Sequence, residues 1–237
     1  MQEAVARRAD EIVIHSGPLS MFGAKAEMAA IEKGVAWRRE LVPFAIATLY
    51  EPKSETVLRI NPKGQVPVLV HGDLEIFDST QIFEYLEDLA PDPPLWPRDP
   101  RGRARARLLE LKSDEVFFPD VVLCMPARRA AAGEAAHAAA RERIQHFLEA
   151  IDRHLADREY LAGPFGYADL AFYAAQFFAR FLGQPPARRL EHLERWRRRL
   201  NGRESVRRVM GEMAAYLTDQ GLPTSLDGGA GGSGAED

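Results

Sequence analysis

Two serines stand where a helix is predicted to begin, a position in which a hydroxyl can do chemistry. Ser20 precedes the run MFGAKAEMAAIEK, which Gly34 closes, and Ser79 follows Asp78 and precedes TQIFEYLEDL. At a helix start the first N–H groups lack partners and the dipole is positive, so an anion is favoured there. Either serine can serve as a plain N-cap, worth about 1 kcal/mol. Either can also donate to a bound anion, and the two roles are compatible. Ser16, four residues before Ser20 at the end of the preceding predicted strand, is the alternative donor.

Thiol and metal chemistry have little to work with. Cys124 is the single cysteine, which excludes a disulfide framework and any multi-cysteine metal or redox motif. Set beside Pro119 and Met125 on an apolar helix, it reads as core packing. His15, His71, His137, His146, His154 and His192 show no metal-ligand spacing, so no metal is expected. Gly229–Gly234 satisfies G-x-G-x-x-G, but no strand precedes it and no helix follows, so it reads as linker composition.

The elements that must carry these residues change character near residue 91. Glu11–His15 reads as a strand, Ser20–Lys33 as a helix and Val35–Val42 as a second strand. A Pro-punctuated stretch, Pro43–Pro52, leads to a short helix at Ser54–Ile60. Pro67–His71 and Leu74–Phe77 flank Gly72-Asp73, a hairpin signal, and the helix from Ser79 follows. This β-α-β-α-β-β-α order predicts a mixed four-stranded sheet over residues 11–90. Residues 91–100 are Pro-rich and read as a stiff linker. Residues 101–217 read as all helical: one long pattern over Gly102–Met125, kinked or joined at Pro119, then Arg141–Asp157, Tyr167–Phe181, Arg188–Leu200 and Glu204–Tyr216. Residues 222–237 have no apolar face to bury and read as a disordered tail.

Composition narrows the function class. The 237 residues carry 31 Lys+Arg against 35 Asp+Glu, 46% apolar and 28% charged residues, an ordinary globular profile. Residues 1–98 hold 10 basic and 15 acidic side chains, so the remaining 21 and 20 leave the helical part near neutral. That balance argues against gripping nucleic acid phosphates. No apolar run approaches the roughly 20 residues of a membrane span, and MQEAVARRADEI carries no secretory signal, so a cytoplasmic protein is expected.

Asn61-Pro62-Lys63-Gly64-Gln65-Val66-Pro67, then Asp78-Ser79 and Glu84-Tyr85-Leu86, in this order of elements, resemble the glutathione transferase superfamily over residues 11–216. The resemblance implies a thioredoxin-like α/β domain followed by an all-helical bundle domain, with glutathione as co-substrate. It implies a cis Val66–Pro67 bond, with the Val66 backbone pairing the cysteinyl part of glutathione like an added strand. Ser79 and the helix N–H groups would hold the γ-glutamyl carboxylate, Asp78 its ammonium, and Gln65 would assist. Ser20 stands fourteen residues before Gly34, the spacing of the catalytic serine in the Ser-type classes, and would donate to the thiolate. No tyrosine or cysteine occurs in residues 11–34, against a Tyr-type site or a mixed disulfide there.

Met21 and Phe22 replace the small or Cys residues common after that serine and narrow the mouth of the site. Phe22, Phe117, Phe118 and Val121, with Met125, either line a pocket for an apolar electrophile or belong to the bundle core. Gly163–Asp169 resembles the family's capping segment, with Gly166 where a Ser or Thr is usual; Asp169 is then a folding residue. A homodimer is the family expectation. Resemblance to bacterial aryl-ether-cleaving members leaves ether cleavage or dehalogenation open, and a glutathione-binding protein without turnover is the alternative of another class.

Overall fold

The computed structural model describes residues 11–222 and residue 224. The expected tail over 222–237 and the Gly229–Gly234 match fall almost wholly outside the described residues. The N-terminal half runs β1 (Ile12–Ser16), α1 (Met21–Glu32), β2 (Trp37–Leu41), α2 (Glu55–Ile60), β3 (Val68–His71), β4 (Leu74–Phe77) and α3 (Ser79–Leu89). The sheet order is β2-β1-β3-β4, with β1 parallel to β2 and antiparallel to β3, and β3 antiparallel to β4. This is the mixed four-stranded, thioredoxin-like sheet the alternating pattern predicts. Ile12, Ile14 and Leu69 of the sheet pack against Ala26 and Ala30 of α1 and Ile82 and Leu86 of α3.

The second half is helical: α4 (Pro100–Lys112), α5 (Phe118–Leu123), α6 (Pro126–Ala132), α7 (Glu134–His154), α8 (Tyr167–Phe181), α9 (Glu191–Asn201) and α10 (Glu204–Asp219). Between Asp92 and Asp99 the chain is anchored by the Glu87 carboxylate, which accepts from the Leu95 and Trp96 N–H groups, while both side chains are buried. The pattern over Gly102–Met125 is joined just before Pro119, where one π turn, Ser113–Phe117, gives way to α5. Pro119 falls in the first turn of α5, where its missing N–H costs no hydrogen bond.

Helix α8 is buried on nearly all sides, and its start is held by Asp169. The fully buried Asp169 carboxylate accepts from Leu161 N–H at 2.9 Å, Gly166 N–H at 3.1 Å and Trp196 Nε1–H at 2.7 Å. Burial pushes its pKa up to about 6, with these donors opposing the shift. Glycine occupies the cap position because a Cβ on Gly166 would lie 2.4 Å from the Leu95 carbonyl oxygen. The anchored segment before α4 therefore excludes the Ser or Thr usual at this cap.

Candidate functional site

Strand register brings the chemical residues to one end of the sheet. His15 pairs with Val68, so Ser16–Ser20 leave β1 at the end where Val66–Pro67 enter β3. Val68 also pairs with Phe77, which delivers Asp78-Ser79 to that end. Ser16 pairs with Leu41 in the parallel β1–β2 ladder, so the loop after β2 departs there too. The N-termini of α1 and α3 thus open onto a shared edge. The ladder begins at Val68, leaving the Val66 backbone beyond its last paired residue.

Ser20 caps α1, its Oγ accepting from Gly23 N–H at 2.9 Å, and it keeps 7% exposure. Accepting that bond leaves its own O–H free to donate. Ser16 is fully buried beneath the first turn of α1, where a Cβ on Gly23 would come 2.1 Å from its Oγ. Its neighbour is the buried Glu27, whose pKa burial raises while Ser16 and Arg39 oppose the rise. Of the two serines, Ser20 is the one at the helix mouth.

The turn before β3 is built by its own residues. Buried Asn61 donates from Nδ2 to the Gln65 carbonyl at 2.6 Å and accepts from Lys63 N–H at 2.9 Å. Gly64 takes φ +59°, a conformation that L side chains rarely adopt. The Val66–Pro67 bond is cis, Gln65 is exposed, Val66 is half-buried and Pro67 is buried. Lys53, which the sequence pattern did not single out, donates to the Gly64 carbonyl at 3.1 Å and so stands beside this turn.

At α3 the cap is Asp78 and not Ser79. Asp78 Oδ1 accepts from Thr80 N–H at 3.0 Å and Gln81 N–H at 3.3 Å. Asp78 has φ +76°, a left-handed conformation that costs a non-glycine residue of order 1 kcal/mol. Ser79 becomes the first helical residue; it is buried, and its carbonyl accepts from the Tyr167 hydroxyl at 2.9 Å. The exposed Asp78 carboxylate and the N-terminal turn of α3 present both charges to one edge, the complement of a zwitterionic ligand end.

The helical wall beside Ser20 is aromatic. The half-buried Phe22 ring meets Phe118 edge-on at 5.4 Å, and Phe118 meets Phe178 at 6.1 Å. Phe117 and Val121 do not line an open pocket, being 1% and 0% exposed. The π turn rotates Phe117 inward onto Phe147 and Phe172, at 5.0 and 5.4 Å, so it serves the bundle core. Cys124 is likewise buried, and its thiol donates to the Asp120 carbonyl at 3.5 Å.

Residues 19–89 match the family model described as the glutathione S-transferase N-terminal domain, and residues 115–204 match the C-terminal domain of the same family. The chain belongs to the glutathione S-transferase superfamily. It is 31% identical over 191 residues to a glutathione S-transferase of Arabidopsis thaliana, covering 75% of this chain and 81% of that one. It is 41% identical over 88 residues to a stringent starvation protein A homolog of Histophilus somni, covering 37% of this chain and only 39% of that relative's length. Its structure superposes on a theta-class glutathione S-transferase of Xanthomonas axonopodis pv. citri with glutathione bound. There the TM-score is 0.69 and the identity 28%, with 84% and 96% of the two chains covered. Among the described residues no group of His, Cys, Asp and Glu is arranged to hold a metal, and no helix is long and apolar enough to cross a membrane.

In this glutathione S-transferase family member, a buried ionic cluster ties the two halves together behind the site. Lys25 of α1 is fully buried and donates to Glu110 Oε1 at 2.7 Å and to Asp114 Oδ2. Thr80, next to Ser79, donates to the same Glu110 oxygen at 2.6 Å. The ammonium also lies 5.1 Å from the centre of the Tyr167 ring. Burial would lower the Lys25 pKa, but Tyr167, Asp114 and Glu110 outweigh it and hold the pKa above its usual value. One cation serves two carboxylates, so burial, helped by Glu110 and opposed by Lys25, pushes Asp114 up to about 7.

A pKa raised on folding means the folded state keeps a proton that the unfolded chain releases. Stability from Asp114 is therefore present below about pH 4 and is lost as pH rises to about 7. Asp114→Asn cannot ionise and is expected to flatten this dependence. Urea unfolding should show the parent losing on the order of 2 kcal/mol relative to the variant between pH 5 and pH 8. A difference that stays constant across that range rules the assignment out.

Proposed function

We propose that this chain is a glutathione transferase of the Ser type, in which Ser20 stabilises the glutathione thiolate for attack on a largely apolar electrophile. The observation that carries the reading is the register that brings Ser20, Val66–Pro67 and Asp78-Ser79 to one sheet edge. A free thiol has a pKa of about 8.5, so only a few per cent is thiolate at pH 7. Ser20 supplies an O–H and α1 its positive end, and both favour the anion over the thiol. Val66 offers an unladdered N–H and C=O to the cysteinyl backbone. Ser79, with its N–H and hydroxyl, holds the γ-glutamyl carboxylate, while Asp78, whose Oδ1 caps Thr80 and Gln81, takes the ammonium. Gln65 and Lys53 flank the remaining end, where the Lys53 ammonium suits a second carboxylate. Phe22 and Phe118 form the apolar wall for the electrophile. The protein would work in the cytoplasm as a homodimer.

The short but closer match to a stringent starvation protein A homolog favours a second reading, a glutathione-binding regulator without turnover. Calorimetric titration with glutathione, followed by rates on a panel of aryl halides, aryl ethers and epoxides, separates the two. Binding with turnover supports the transferase, and the panel shows whether ethers or halides are preferred. Binding with no turnover on any of them supports the regulator. Absence of binding overturns both.

A further inference from the structure

Charge is spread unevenly over the helical half. Residues 188–208, which form α9 and the start of α10, hold nine arginines and three glutamates, a balance of +6 in a chain of −4. The remainder therefore carries −10. Four of the nine are used by the fold. Arg197 is buried, Arg203 pairs with Glu32 of α1 at 2.6 Å, Arg188 with Glu149 at 3.0 Å, and Arg189 lies 3.6 Å from Glu194. The other five, Arg195, Arg198, Arg199, Arg207 and Arg208, make no ion pair among the described residues. Arg199 is half-buried and the other four are exposed. Glu204 is the carboxylate of this segment left without an ion pair among the described residues.

The five share one face. Arg195, Arg198 and Arg199 stand at i, i+3 and i+4 on α9, within about one helical turn. Arg207 folds back to donate to the Gly202 carbonyl, which sets the arginines of α10 beside the last turn of α9. Arg208 stands four residues beyond Glu204, one turn up the same side of α10. Between the two helix ends lies a recess of about 430 Å³, lined by Arg199, Arg203, Glu204 and Ser205 and closed by Ile31 and Glu32 of α1. Ser20 caps the opposite end of α1, and twelve helical residues span about 18 Å, so this face is separate from the candidate site. Like charges held together repel, and no internal partner relieves these five, so folding gives no reason for them. We propose that this face docks an acidic segment of a partner protein, whose carboxylates spread over the five arginines around the recess. The guanidinium fork matches a carboxylate in bidentate geometry. A nucleic acid offers phosphates to the same forks, but its charge runs on past the face onto a remainder of −10 and is repelled there. A short acidic segment ends before that surface begins.

Fluorescence anisotropy on the full chain tests this, with a short labelled peptide of Asp and Glu and, separately, a single-stranded DNA of the same total charge. Arg198→Glu with Arg208→Glu reverses two exposed charges, and thermal melting should match the parent. Peptide affinity at low salt should fall about 10-fold or more in this variant, and about threefold with Arg198→Gln and Arg208→Gln. The neutral pair carries the test if the reversed pair fails to fold. Raising salt from about 50 to about 200 mM should narrow the gap between parent and variant. Arg101→Glu with Arg105→Glu makes the same change of charge on exposed arginines of α4 and should stay within about twofold of the parent. An equal loss in the α4 variant would mean that net charge alone draws the peptide, and overturns the docking face. A parent that does not bind the peptide, or variants that bind it as well as the parent, overturn it too. DNA binding that is tighter than peptide binding, and is lost on reversal, assigns the face to nucleic acid and overturns the proposal as stated.

Discussion

Ser20→Ala is expected to cut turnover of a model electrophile by about 10- to 100-fold at neutral pH while glutathione still binds. The magnitude is that of losing one hydrogen bond to a charged group, about 1.5–3 kcal/mol. The substitution also removes the N-cap of α1, because Ser20 Oγ accepts from Gly23 N–H, and so costs about 1 kcal/mol of stability. Ser20→Asp separates the two effects. Aspartate caps as well as serine, so thermal melting should match the parent. Its carboxylate, however, repels a thiolate and donates nothing, so activity should fall below that of Ser20→Ala. Initial rates and melting curves on the three proteins decide the matter. An alanine variant within twofold of the parent would mean that Ser20 does not meet the sulfur.

Lys25→Met is expected to destabilise the fold by about 3–5 kcal/mol at neutral pH, measured by urea unfolding. Methionine fills the space of the stem but leaves Glu110 and Asp114 buried without the cation they share. The loss should shrink at pH 5, where Asp114 takes up a proton. A triple variant with Glu110→Gln and Asp114→Asn should recover most of the stability, because it removes the uncompensated charge along with the lysine. Since Glu110 also receives the Thr80 hydroxyl beside Ser79, the single variant should weaken glutathione binding as well. A cost below about 1 kcal/mol for Lys25→Met would show that the cluster does not join the two halves.

Much of the fold was legible because its signals are local. Gly34 closes α1, Gly72 turns the β3–β4 hairpin, and the apolar spacing of Ile82 and Leu86 marks the inward face of α3. The 61–67 segment was legible for the same reason, since Asn61 and Gly64 shape that turn through bonds only two to four residues away. The helical half was harder. Apolar spacing located α7 and α8 but could not say that a π turn would swing Phe117 into the core and leave Phe118 half-buried against Phe22. Nor could it show that Asp78 takes the cap from Ser79, which depends on a left-handed backbone at a non-glycine residue.

The sequence by itself determined the order of elements, the family pattern and the three segments that carry the candidate site, because each is written in neighbouring residues. Tertiary structure alone decided what stands around them. Tyr50 packs against Gly17, 33 residues away in the chain, because parallel pairing of β2 with β1 sends the loop of Tyr50 to the same sheet edge. Lys25 meets Glu110 and Asp114 across 85 and 89 residues because the two halves bury those side chains against one another. Such contacts are fixed by packing and by the need to pair every buried charge, and one-dimensional spacing records neither.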